Sequence, residues 1–191
     1  MSNYTIKTTP IEGILILEPN DNINIESLKW PTAQEIKELG FVEKFKNKSE
    51  EKLARGVLRG LHFNTSGVQA KLVRVTAGAA LNVAVDLRYK SYTYGASHGV
   101  ELSGENGRIL YVPAHFAHGF LTLEPGTEIT IKSSGTLDPK KESGVQWDDQ
   151  ILAIDWQYER YDIDQKWLNI APKDKKRTTF RQLEARFLWD E

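Results

Sequence analysis

From residue 56 to about residue 132 the chain runs as short segments of strand length, 57–63, 70–76, 80–87, 98–102, 108–112, 119–123 and 128–132, broken by Gly, Pro, Asn and Ser. A parallel crossover needs roughly a dozen residues or more between strands, and these gaps leave no room for one. The spacing therefore predicts an antiparallel sandwich or barrel.

The flanks are different. Residues 13–19 (Gly-Ile-Leu-Ile-Leu-Glu-Pro) are short, apolar and ended by proline, which predicts a further strand. Residues 31–40 begin with Pro31, continue in good helix formers and end on Gly40, the punctuation of a short helix. The polar stretch 43–52 reads as loop. After residue 149 the chain is richer in charge, and Phe180, Leu183 and Phe187 recur at helical spacing within 178–187. At 191 residues the whole is the size of one large domain. With 27% charged residues and a net charge of -1, it has no basic excess with which to neutralise a nucleic-acid backbone. Cysteine is absent, which rules out disulfides and thiolate chemistry and suits the reducing cytoplasm. Residues 1–10 lack the apolar centre of a signal peptide, and no later run has the length of a membrane span, so no membrane partner is expected.

Chemistry concentrates in Arg55-Gly-Val-Leu-Arg-Gly-Leu-His62-Phe-Asn64 and in Gln69-Ala-Lys71-Leu-Val-Arg-Val75. A histidine and a lysine on neighbouring strands are a possible base and oxyanion partner, the minimum for taking a proton from beside a ketone. Side-chain alternation puts Leu58, Gly60 and His62 on one face and Arg59, Leu61 and Phe63 on the other. The same rule groups Lys71 with Val73 and Val75, on an otherwise apolar face where a lysine needs a partner or an anionic ligand. Pro113-Ala-His115-Phe-Ala-His118-Gly-Phe120 reads as a turn feeding a strand, a setting where ligand contacts collect. His115 is read as structural and His98 as a surface strand residue.

These motifs resemble those of the dTDP-4-dehydrorhamnose 3,5-epimerase family over residues 14–183. The resemblance rests on the two runs above, on Val83-Ala-Val-Asp-Leu-Arg88, Gly99-Val-Glu-Leu-Ser103, Pro113 to Phe120, and Gly144-Val-Gln-Trp-Asp-Asp149 with Ile154-Asp-Trp156. It implies an all-β, cupin-type antiparallel jelly-roll barrel with short peripheral helices near the termini, one domain over residues 1–191. It also implies a homodimer whose N-terminal strand joins the partner's sheet, a nucleotide-sugar substrate, and catalysis without metal or organic cofactor. By the same resemblance His62 is the base that removes the proton α to the C4 ketone of a nucleotide-linked 4-keto-6-deoxy sugar. Asp174, in Ala171-Pro-Lys-Asp-Lys175, is the carboxylate that orients it, and Lys71 holds the enolate oxygen. His118 lines the sugar site. Arg59, with Arg55 and Asn64 of the same run, contacts substrate.

Two departures from the family pattern stand out. The family's proton-returning tyrosine is replaced by isoleucine in Ile131-Lys-Ser-Ser134, and the aromatic pair that follows by Thr136-Leu137. The N-terminal segment that supplies phosphate and base contacts is replaced by Asp21-Asn-Ile-Asn-Ile-Glu26. Isoleucine cannot donate a proton, so epimerisation at C3 only is expected. Other readings of the same residues are a 3,4-ketoisomerase, a sugar-nucleotide binder without turnover, and a metal cupin using Pro113-x-His115-x-x-His118, although too few ligands gather around His62 for the last.

Overall fold

The structure is a computed structural model and describes residues 2–136 and 138–184. Among these the strands are β1 (Tyr4–Thr8), β2 (Leu15–Pro19), β3 (Asn47–Leu53), β4 (Val57–Asn64), β5 (Lys71–Ala77), β6 (Ala79–Asp86), β7 (Ser97–Ser103), β8 (Ile109–Val112), β9 (Phe116–Thr122), β10 (Thr127–Ser133), β11 (Glu142–Gly144) and β12 (Asn169–Ile170). The helices are α1 (Ala33–Glu38) and α2 (Phe180–Glu184). One sheet has the order β1-β2-β8-β5-β10-β3 and the other β11-β4-β9-β6-β7, with β12 lying parallel to the start of β4. The remaining pairings are antiparallel, and the two sheets face each other as a jelly-roll barrel of the cupin type.

Three apolar clusters hold this arrangement. Val73, Val75, Ala84, Leu110, Phe120 and Ile129 meet between the sheets. On the outer face of the first sheet, Leu72, Ile109 and Tyr111 pack against Ile36 and Phe41 around α1. On the outer face of the second, Leu58, Leu61, Leu81 and Leu121 pack against Trp156, Phe180 and Leu183. The central strands are therefore covered on both faces, which is why every residue of β6 and β9 is buried and why their sequences read as nearly continuous apolar runs. Burial of each leucine contributes roughly 1.5–3 kcal/mol relative to exposure.

α1 starts where the sequence places it, with a capping box: Glu35 N–H donates to the Thr32 hydroxyl, and the Thr32 N–H donates to the Glu35 carboxylate. Helical structure from Phe180 also agrees with the sequence, while Phe187 lies outside the described residues.

Two polar stretches, one of them read as loop, form edge strands. Residues 47–53, all but the last within the expected loop, form β3 at the edge of the first sheet, where solvent hydrates Lys48, Glu50 and Lys52. Charged side chains are tolerated on an edge strand, so the apolar alternation that marks an inner strand is missing. Residues 4–8 form β1 at the other edge, paired with β2 of the same chain. No helix among the described residues is long and apolar enough to cross a membrane.

Candidate active site

Where the two sheets part at one end of the barrel they leave a cavity of about 550 Å³. Arg59, His62 and His118 line it from the second sheet, and Lys71, Ile131 and Ser133 line it from the first, with Ser49 and Glu51 on edge strand β3.

The placement of Arg59 corrects the alternation read from sequence, which set it on the face opposite His62. On β4, Arg59 stands opposite Phe120 and His62 opposite His118, so three steps on one strand match two on its neighbour. This bulge turns Arg59 and His62 to the same, inner side and sends Leu58 and Leu61 outward together. Glycine permits it: Gly60 has φ +122°, and a Cβ there would sit 2.6 Å from the Cα of Gly119. His118 is likewise moved, from the expected turn into β9, because that strand begins at Phe116.

The 171–177 segment reaches the site because β12 pairs with Val57 and Leu58 and carries the chain past Gly60. Asp174 opens a short 3-10 turn, fully closed to solvent. One of its oxygens accepts from the Gly60 N–H at 3.2 Å. The other lies 2.6 Å from Nε2 of His62 and accepts from Nε of Arg177 at 3.3 Å. Burial alone would raise the Asp174 pKa, but the bonds and charges of His62, Gly60 and Arg177 outweigh it and hold the carboxyl below its ordinary value. An ionised carboxylate only accepts, so Nε2 of His62 carries the proton and Nδ1 is left as the basic nitrogen of the neutral ring.

Lys71 is partly buried, as its apolar face predicts, and its ammonium donates to the carbonyl of His62 at 3.2 Å. Loss of hydration lowers its pKa to about 8, opposed by the nearby Glu142 carboxylate. His118 is buried, its Nε2 is 3.2 Å from Oδ1 of Asn82, and desolvation with the adjacent Lys71 and His62 charges pushes its pKa well down. It is neutral at physiological pH.

The remaining expected contacts divide. Asn64 lines the cavity, with its side-chain Oδ1 accepting from the Ser66 N–H and hydroxyl. Arg55 does not line it: its guanidinium donates to the carbonyls of Tyr161 and Asp162, at 2.7 and 2.9 Å. His115, at φ +65°, packs its ring over Gly67, outside the cavity lining. Sequence reasoning missed Glu142, which lines the cavity and pairs with Lys173 and Arg177 at 3.0 Å each. It also missed Ser49 and Glu51, hidden in a stretch read as loop. That stretch is polar at every position from Asn47 to Lys52, so no apolar period marked it as a strand.

A jelly-roll barrel with a histidine–aspartate pair and a lysine at one cavity defines the class, a cupin-type isomerase. Known proteins narrow it. The family model for dTDP-4-dehydrorhamnose 3,5-epimerase matches residues 8–182. The dTDP-4-dehydrorhamnose 3,5-epimerase of Methanothermobacter thermautotrophicus is 38% identical over 184 residues, covering 95% of this chain and 97% of the relative. The crystal structure of the dTDP-6-deoxy-D-glucose-3,5-epimerase of Legionella pneumophila in complex with dTDP-4-keto-L-rhamnose matches with a TM-score of 0.86 and 30% identity, covering 98% of this chain and 100% of that one. ChmJ, a 3'-monoepimerase from Streptomyces bikiniensis solved with dTDP-quinovose, matches with a TM-score of 0.81 and 26% identity, over 93% and 88% of the two chains. The chain belongs to the dTDP-4-dehydrorhamnose 3,5-epimerase family.

Proposed function

We propose that this chain, acting as one domain over residues 1–191 and as a cytoplasmic homodimer, epimerises a dTDP-linked 4-keto-6-deoxy sugar and inverts C3 alone. The observation that carries the reading is the 2.6 Å pairing of His62 with the closed Asp174 on the cavity wall facing Lys71. With the sugar between the walls, Nδ1 of His62 removes the C3 proton and Asp174 stabilises the imidazolium that forms. The C4 oxygen becomes an enolate, and the Lys71 ammonium stands where that charge develops. Arg59 meets the diphosphate, and His118 and Asn64 shape the sugar pocket. Arg55, which does not line the cavity, takes no part.

The restriction to C3 rests on Ile131, whose side chain lines the cavity where the resemblance to the family puts a phenol. Two inversions call for effective proton return at two carbons, and an isoleucine removes one donor. The family contains enzymes of both kinds, since ChmJ is described as a 3'-monoepimerase. Proton NMR with dTDP-4-keto-6-deoxy-D-glucose in deuterium oxide tests the proposal. Deuterium at C3 with inversion there is expected, and an absence of deuterium at both C3 and C5 refutes it. A carbonyl moved to C3 in the product would mark a ketoisomerase instead.

A further inference from the structure

An epimerase needs a second proton carrier on the side of the sugar away from its base. His62 and His118 both stand on the second sheet, so that carrier belongs on the wall made by the first. Ile131 cannot serve. Its strand β10 is flanked by β3, where Ser49 is opposite Ile131 and Glu51 is opposite Ile129. Side chains at 47, 49, 51 and 53 share one face of β3, and Leu53 packs against the apolar cluster between the sheets, so this face looks inward. Glu51 accordingly lines the cavity.

Its neighbours are engaged and it is not. Glu50 pairs with Lys48 at 2.7 Å and Lys52 with Glu128 at 3.0 Å, pointing outward. Of the other acids at the cavity, Glu142 is held by Lys173 and Arg177, and Asp138 accepts from the N–H of Lys140. The Glu51 side chain has no hydrogen bond or ion pair among the described residues. An inward charge on an edge strand also discourages strand-to-strand aggregation, a role that needs only polarity and makes no use of a transferable proton.

We propose that Glu51 is the group that returns the proton to C3 on the face opposite His62, an inference that rests on the C3 epimerisation proposed above. His62 takes the C3 proton, and the C3–H electron pair becomes the C3–C4 double bond of the enolate. Glu51 first takes a proton from solvent water, and that pair then takes it, so that a new C3–H bond forms on the opposite face as the Glu51 O–H bond breaks and the C4 carbonyl is restored. Glu51 is left as carboxylate and His62 as imidazolium. Because Glu51 is exposed and the His62 side chain is 20% exposed, one proton passes back between them through water.

The test follows dTDP-4-keto-6-deoxy-D-glucose in deuterium oxide by proton NMR, reading deuterium at C3 separately from inversion at C3. In Glu51→Gln, His62 still removes the proton and returns deuterium to the same face. Exchange is expected to stay within about fivefold of the unmutated protein while inversion falls on the order of 100-fold. Glu51→Asp should recover part of the inversion. Inversion at the unmutated rate in Glu51→Gln would overturn the assignment, and so would loss of exchange and inversion together, which marks a binding or structural role. If the unmutated protein itself shows no exchange at C3, the proposed reaction fails and this role with it, an outcome distinct from either result in the variant.

Discussion

Nε2 of His62 lies 2.6 Å from Oδ1 of Asp174, a carboxylate 112 residues further along the chain and closed to solvent. Gly60 and Arg177 hold that carboxylate from two other directions, so its orientation does not depend on the ligand.

Replacing Asp174 with asparagine keeps the size of the side chain and removes its charge. The imidazolium formed during proton removal then loses its counter-charge. We expect kcat to fall on the order of 10²–10⁴-fold with KM changed far less, measured by steady-state kinetics on the 4-keto sugar nucleotide. An equal kcat would show that the pair is structural.

The pH profile carries a sign set by Lys71. Its folded pKa of about 8 is below the ordinary lysine value, so the ammonium proposed to hold the enolate is present below pH 8 and is lost as pH rises through it. The rate constant kcat/KM, which reports the free protein, should therefore fall on the alkaline side with a midpoint near 8. Lys71→Arg should remove that limb, because guanidinium stays charged. Asp174 acts at the other end: its folded pKa is depressed, so the stability it contributes is complete above its unfolded value and is lost only as pH falls through the lower folded one.

Ile131→Tyr would put a phenol into the cavity between Val73 of β5 and Ser49 of β3. We expect deuterium incorporation and inversion at C5 to appear in the NMR assay beside those at C3. A product unchanged at C5 would show that the missing donor does not set the number of centres inverted.

Gly60→Ala tests the bulge. The added methyl would meet the Cα of Gly119 at 2.6 Å, at a φ that L-residues rarely adopt. A stability loss of about 1–3 kcal/mol is expected from urea unfolding, with activity lowered because Arg59 and His62 lose their common direction.

Much of the fold was legible in the sequence because inner strands and capped helices leave local marks. β4 to β10 follow the apolar segments between residues 57 and 132, and α1 follows Pro31, Thr32 and Gly40. The edge strands β1 and β3 were illegible for the opposite reason, since solvent satisfies their side chains and no apolar period is needed. Arg59 was set on the wrong face because alternation assumes an unbroken ladder, whereas the bulge depends on how closely Gly60 approaches a glycine on another strand.

The sequence by itself determined an antiparallel sandwich or barrel, through strands too closely spaced for crossovers, and it determined which residue types were available for proton transfer, His62, Lys71 and Asp174, with an isoleucine at 131 that is not. Tertiary structure decided which of them meet. The pairing of His62 with Asp174 arises from β12 lying along β4, and the position of Glu51 across the cavity arises from β3 taking the edge beside β10. Both are contacts between segments far apart in the chain, and local propensity carries no information about distances of that kind.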